Sequence, residues 1–161
     1  MRIAALALTV LLAAAPLGAA DPPGFAKWTA AELTRHDAEL AKHVGDDRSS
    51  RETLADYGDH RFRMLYRDGD GNPEQHDAII DIVFVKSGQT TLVMGGTMVG
   101  RRATNAGEWV GTRLDGGDRH QLGAGDIVHI PAGVPHSFLV PAGTHVTYVL
   151  LKIPAADLKK P

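Results

Sequence analysis

The segment GDIVHIPAGVPHSF, residues 125–138, constrains the fold of this chain more than any other stretch. Residues 126–130 have the short apolar character of a β-strand. Pro131 cannot donate to a sheet ladder and so ends the strand, and Gly133 can take the positive φ of a tight reversal. The chain then re-enters a sheet at His136, whose side chain shares a face with the apolar residues at alternate positions after it. The pattern predicts a strand, a sharp corner and a histidine that points into whatever the sheet encloses.

The same texture extends over most of the chain. After Asp46, short runs rich in Val, Ile, Thr and aromatic residues alternate with turns of Gly, Pro and Asp. Many short strands with frequent turns are typical of a sandwich or a barrel. The predicted strands are residues 60–66, 78–86, 90–94, 109–114, 126–130, 137–140 and 145–153. Phe62, Met64, Tyr66, Phe84, Phe138 and Tyr148 are expected inside the barrel.

One helix is predicted before the strands. Thr29 and Glu32 have capping-box spacing, in which each side chain satisfies a free backbone N–H group. Apolar residues follow at helical intervals, and Gly45 suits a helix end, so we expect a helix over residues 30–44. The expected architecture is all-β, a barrel of residues 59–155, with a lead-in and a short N-terminal helix in residues 21–58.

The N-terminus has the composition of a secretory signal. Met1-Arg2 is followed by an apolar run at residues 3–15 and by small residues before Asp21. That run of 13 residues is shorter than the roughly 20 that span a membrane. We therefore expect residues 1–20 to be cleaved after Ala20, which leaves a periplasmic or secreted protein without a stable membrane anchor.

Composition restricts the function classes. The chain of 161 residues is 43% apolar and 22% charged, which suits one soluble domain. A formal charge of −2 gives no reason to expect nucleic-acid binding. The chain contains no cysteine, so disulfides, thiol chemistry and lipidation of a cysteine are excluded.

The opening segment resembles the second sequence motif of the cupin superfamily, G-x5-P-x-G-x2-H-x3-N. Gly125, Pro131, Gly133 and His136 match it, and only the last position departs, where Val140 replaces Asn. The resemblance implies a double-stranded β-helix barrel, the cupin or jelly-roll fold. It covers about residues 62–153.

A degraded form of the first cupin motif, G-x5-H-x-H-x3,4-E-x6-G, lies upstream in the expected order. Gly88 closes it, Asp81 stands in the Glu position and His76 in the second His position. Glu74 replaces the first His, and Asp68 replaces the leading Gly.

The resemblance implies a divalent metal held by His76, Asp81 and His136, with Glu74 as a fourth ligand left open. The residues agree with that set, since Asp81 lies in a strongly apolar strand and needs a cation or hydrogen-bond donors. His76 and Asp81 are five apart, so a bulge or corner must lie between them. Two histidines with one or two carboxylates suit Mn, Fe, Zn, Ni or Cu. If only one carboxylate binds, the other, Glu74 or Asp81, is a catalytic general base.

The function expected from this resemblance is binding of a divalent metal and a small organic ligand in the barrel. We expect a metal-dependent enzyme of dioxygenase, isomerase or lyase type, acting on a small carbonyl or carboxylate compound. The alternative is a non-catalytic cupin that binds a small ligand or a metal, because fold alone does not choose between them. Homodimerisation is left open.

Three arginines alternate along one predicted strand, at Arg61, Arg63 and Arg67. We expect them on the charged outer face of an edge strand. The alternative is that they capture an anionic substrate.

Overall fold

The computed structural model describes residues 20–155, and the predicted signal segment lies almost entirely outside the described residues. One helix, α1 (Ala30–Leu40), precedes twelve strands. The strands are β1 (Ser49–Asp56), β2 (Arg61–Arg67), β3 (Glu74–His76), β4 (Ile79–Met94), β5 (Thr97–Val99), β6 (Arg102–Asn105), β7 (Glu108–Val110), β8 (Arg113–Asp115), β9 (Asp118–Gly123), β10 (Ile127–Ile130), β11 (His136–Leu139) and β12 (Val146–Pro154).

Two antiparallel sheets form the barrel, and β4 belongs to both. Its first half lies between β12 and β10, in a sheet that continues through β2 to β1. Its second half lies between β9 and β11, in a sheet that continues through β3 and β7 to β6. Strands β5 and β8 form a separate two-stranded ribbon. The all-β double-stranded β-helix with one N-terminal helix is therefore confirmed.

The change of sheet within β4 occurs at Gly88. This residue has a φ of +73°, which L side chains rarely adopt. A Cβ atom here would lie 1.9 Å from the backbone oxygen of His145, so the close approach of β12 also requires glycine. The two strands predicted at 78–86 and 90–94 are thus one strand with a corner.

The helix follows its capping prediction at the start and ends earlier than expected. Thr29 Oγ1 accepts from Glu32 N–H at 3.2 Å, and the Thr29 N–H donates to Glu32 Oε2 at 2.8 Å. At the other end, Ser50 Oγ donates to the backbone oxygen of Leu40 at 2.6 Å. The helix ends at Leu40 rather than at residue 44, because β1 supplies this partner for one of its free carbonyls.

Asp37 fastens the helix to the barrel. Thr147 Oγ1 donates to Asp37 Oδ1 at 2.6 Å, and Ser87 Oγ donates to Asp37 Oδ2 at 2.8 Å. Thr147 is fully buried, so the contact lies beneath the helix and not at its margin. The helix is thus held against the barrel at β4 and β12, and β1, which the sequence did not predict, pairs with β2 along its edge.

The barrel core is aliphatic with two stacked aromatic rings. Phe138 and Tyr148 lie inside as predicted, with ring centroids 4.9 Å apart. The prediction was wrong for Phe84, which is 38% exposed. It was also wrong for Phe62, Met64 and Tyr66, which alternate with cavity-lining residues and so face the other side of β2. Phe62 packs instead against Trp28 of the lead-in, with ring centroids 5.2 Å apart.

No helix in residues 20–155 is long and apolar enough to cross a membrane.

Candidate metal and ligand site

A cavity of about 200 Å³ opens inside the barrel, and all four predicted site residues line it. Glu74 and His76 come from β3, Asp81 from the start of β4 and His136 from the start of β11. Register explains the convergence, because His136 pairs with Glu74 on one side and with Met94, at the far end of β4, on the other. The chain leaves the ladder between β3 and β4, which supplies the corner predicted between His76 and Asp81.

Both imidazole rings are buried and oriented through their Nδ1 atoms. His76 Nδ1 lies 2.5 Å from Glu108 Oε2, and His136 Nδ1 lies 3.1 Å from the backbone oxygen of Val134. Because both partners accept hydrogen bonds, each Nδ1 is the donor in these contacts, which leaves the Nε2 atom of each ring for other partners. The ring centroids are 5.5 Å apart. This arrangement, in which a carboxylate or carbonyl fixes a histidine from behind, is the usual support of a metal-binding imidazole.

Asp81 is almost fully buried and is neutralised by Lys152. The Lys152 ammonium donates to the two Asp81 carboxylate oxygens at 2.9 and 3.2 Å, and it also donates to His76 Nε2 at 3.0 Å. The side chains of Lys152 and Asp81 are 14% and 4% exposed. Lys152 follows Tyr148 and Leu150 at alternate positions on the cavity face of β12, which is the sequence signal that could have revealed it.

The environment sets the charge of each group. Burial raises the pKa of Asp81, but the hydrogen bond with His76 and the charge of Lys152 outweigh burial and lower it overall. Burial lowers the pKa of His136, so this ring is neutral. Burial also lowers the pKa of His76, yet the neighbouring Asp81 and Glu108 carboxylates raise it overall. A metal would therefore compete with a proton at His76 more than at His136.

The donor set fits a divalent transition metal. One ligand atom from each of Glu74, His76 and His136 lies within 4.8 Å of the other two. The Asp81 Oδ2 atom lies 3.4 Å from His76 Nε2 and 3.9 Å from His136 Nε2. Two imidazoles with one or two carboxylates suit Mn, Fe, Zn, Ni or Cu. Lys152 holds two of these four donors, so a metal would have to share or displace its contacts.

The β2 wall of the cavity is basic, which corrects the prediction that these arginines lie on the outer face of an edge strand. Arg63, Leu65 and Arg67 line the cavity together, as alternate residues of one strand do. The edge-strand expectation was wrong because β2 is paired on both sides, by β1 and β12. Arg61 lies outside this cavity, 3.8 Å from Asp56.

Tyr148 lies on the cavity wall next to this basic region. Burial raises the pKa of its phenol, against the opposing charge of Arg67. The phenol is therefore neutral and can donate a hydrogen bond into the cavity.

Comparison with known proteins gives matches in structure alone. No protein-family model and no curated protein sequence matches the chain. The DMSP lyase DddQ from Ruegeria pomeroyi DSS-3 aligns with a TM-score of 0.50 and 20% identity, over 74% of this chain and 54% of that one. KdgF from Halomonas sp. aligns with a TM-score of 0.50 and 17% identity, over 68% of this chain and 83% of that one.

A third structure, Rru_A2000 from Rhodospirillum rubrum, is described as a cupin-2 domain. It aligns with a TM-score of 0.48 and 19% identity, over 71% of this chain and 64% of that one. The two alignments with a TM-score of 0.50 show a shared fold and no shared activity. The double-stranded β-helix, the corner at Gly133 and the inward histidine that follows it agree with the motif resemblance, and this chain has the cupin fold.

Proposed function

We propose that this protein is a metal-dependent enzyme acting on a small oxygenated compound inside the barrel. The observation that carries the proposal is the pair of buried imidazoles, each fixed at Nδ1, whose Nε2 atoms face one cavity beside a buried carboxylate. His76 and His136 would hold the ion, and Asp81 or Glu74 would complete its shell. The ion would supply Lewis acidity that polarises a carbonyl or carboxylate oxygen of the substrate.

The two carboxylates are suited to different tasks. Asp81 is buried and bound by Lys152, so it is suited to holding charge and position. The Glu74 side chain is 43% exposed and its Oε2 lies 3.8 Å from His76 Nε2. A carboxylate at the cavity with solvent access can both reach a substrate proton and release it, so Glu74 is the preferred general base. This assigns Asp81 the positional role and Glu74 the catalytic one.

Metal analysis tests this function directly. The purified protein lacking residues 1–20 should contain near-stoichiometric Mn, Fe, Zn, Ni or Cu, and His136→Ala should lose it. His129→Ala is the matched control, since His129 lies in β10 near the same corner but is exposed and lines no part of the cavity. A wild-type protein that takes up none of these five metals after dialysis against each would contradict the proposal.

A metal-free ligand-binding protein is the second candidate, and Lys152 favours it. Its ammonium already neutralises Asp81 and occupies His76 Nε2, so the polar wall is satisfied without an ion. This function predicts ligand-dependent thermal stabilisation without turnover and with no metal present.

Export is a further part of the proposal, based on the basic start, the short apolar run and the small residues before Asp21. Expression of the full chain in a bacterial host, followed by mass determination of the periplasmic fraction, should give a protein that begins at Asp21. Light scattering on that material would establish whether it is a homodimer.

A further inference from the structure

We propose that Arg63 and Arg67 form a carboxylate-binding subsite, and that the ligand of this cavity is a small organic acid bound as its anion. The inference deepens the proposed function by naming the class of substrate. The carboxylate would lie on the two guanidinium groups, with the remainder of the molecule toward His76 and His136.

The first argument is that these two cations lack the acidic partners that neighbouring arginines have. Arg48 pairs with Asp68, Arg51 with Asp47 and Arg61 with Asp56. Within residues 20–155, the Nε atoms of Arg63 and Arg67 are buried and have no hydrogen-bond partner. Arg67 as a whole is only 8% exposed. Arg63 is half-buried. A buried donor atom of a charged group is costly when it has no partner, so a bound anion is the expected compensation.

Charge in the cavity gives the second argument. Four cations line the described cavity, and two of them have acidic partners. Arg51 pairs with Asp47, and Lys152 pairs with Asp81. Burial lowers the pKa of Arg63, and the charge of Glu74, another lining residue, acts in the opposite direction. Among the described residues, Arg63 and Arg67 are therefore the lining cations that no carboxylate contacts as an ion pair.

The third argument is the fixed position of Arg67. Its guanidinium packs over Gly71, where a Cβ atom would lie 3.0 Å from both Cζ and Nη1. The loop that holds Gly71 is itself bound to β11, because Gly71 N–H donates to the Phe138 oxygen at 2.7 Å and Ser137 Oγ donates to the Gly71 oxygen at 2.7 Å. A guanidinium held in place loses little freedom on binding, and its fork matches the two oxygens of a carboxylate.

Size restricts the ligand further. The cavity of about 200 Å³ is smaller than the ~300–1,000 Å³ typical of drug-sized ligands. A short-chain organic acid of the size of pyruvate, malonate or succinate is therefore the class that fits.

The test uses the protein lacking residues 1–20, dialysed free of metal, so that the subsite is measured without the metal site. Pyruvate, malonate and succinate are titrated by calorimetry and thermal shift, beside pyruvamide, malonamide and succinamide. We expect at least one acid to bind and its neutral amide to fail, since each charge-assisted contact contributes about tenfold in affinity. Arg63→Gln and Arg67→Gln should each lose about that factor, and Arg61→Gln, which lies outside the cavity, should not.

Three results would overturn the subsite: equal binding of acids and amides, equal binding of sulfate, or the same loss in Arg61→Gln as in Arg63→Gln. If Arg67→Gln does not fold, Arg67→Lys is the second variant, because it keeps the cation and should fold. It loses the bidentate contact with a carboxylate, so unchanged carboxylate affinity in Arg67→Lys counts against the proposal. Metal analysis of a portion taken before the dialysis, and metal uptake by the dialysed protein, test the proposed function separately. Acid binding by a protein that held no metal before dialysis and takes none up afterwards would support the subsite while contradicting the metal-dependent enzyme.

Discussion

The two walls of the cavity use charge in opposite ways. On the wall of His76, Asp81 and Lys152, each charged or polar group has a partner within the protein at hydrogen-bond distance. On the wall of Arg63 and Arg67, the buried Nε atoms have none among the described residues. Polar groups that are hydrogen-bonded within the protein contribute to its stability. Buried donors without a partner instead favour binding of a ligand that accepts their hydrogen bonds. The predictions below separate these two behaviours.

Removing the carboxylate of the satisfied wall should have the largest effect. Asp81→Asn leaves the Lys152 ammonium buried without its counter-ion, and breaking one partner of a buried pair costs roughly 3–5 kcal/mol. We expect a loss of that order in the free energy of unfolding, measured by urea denaturation. Asp118→Asn, an exposed carboxylate on β9, is the control and should change it by less than about 0.5 kcal/mol. Equal stability of the two variants would show that the wall is not held by this pair.

Replacing the cation of the same wall should change metal affinity. The Lys152 ammonium would repel a metal ion bound beside it. Two like unit charges 4 Å apart near a protein surface repel by ~4 kcal/mol, so Lys152→Met should bind a divalent metal at least about tenfold more tightly than wild type. Competition with a metal-sensitive dye measures the affinity, and Lys42→Met on the exposed surface is the control. Unchanged metal affinity in Lys152→Met would mean that the ammonium does not compete for these donors.

On the arginine wall, a single methyl group tests whether the position of Arg67 matters. Gly71→Ala places a Cβ against that guanidinium, and should weaken carboxylate binding by about threefold to tenfold through the displaced contact. Gly71 does not have a positive φ, so the substitution adds no backbone strain, and a stability measurement accounts for the Cβ contact of 3.3 Å with the Phe138 oxygen. Gly123→Ala is a matched control, because its Cβ would meet nothing within 4 Å and its φ is not positive either. Equal carboxylate affinity in the two variants would contradict the role of Arg67.

The smallest effect concerns pH. Burial raises the pKa of Tyr148 above the ordinary value of about 10. Its stabilising contribution is therefore complete below pH ~10 and is lost as pH rises through the higher value of the folded state. Ultraviolet titration should show one of the three tyrosines ionising last, together with unfolding. Tyr148→Phe should remove that last step, and its persistence would place the buried phenol elsewhere.

The sequence predicted the satisfied wall better than the arginine wall, for a physical reason. Pro131, Gly133 and His136 encode a corner by their own backbone preferences, so the position of the inward histidine is a local property. Lys152 and Glu108 were missed because a charged residue on a strand is ordinarily a solvated one. Only the pairing of their strands with β4 and β3 brings them to the cavity.

The arginines show the same limit more sharply. The alternation along β2 predicts that Arg63 and Arg67 share a face, but it does not predict which face of the strand lines the cavity. That depends on what covers the other face, where Phe62 packs against Trp28 of the lead-in. The lead-in of residues 21–58 was predicted to lie apart from the barrel. It contains β1, whose pairing with β2 the sequence therefore did not predict.

The corner in β4 has a geometric consequence. Asp81 near the beginning of this strand and Met94 at its end, beside His136, belong to one uninterrupted segment of chain. The position of Asp81 relative to His136 is thus set by the length of one strand with a corner at Gly88, and not by two separate loops. Inserting one residue at the fold would turn every later side chain of the strand over, so the alignment of the two motifs is as sensitive to chain length there as to the identity of any ligand.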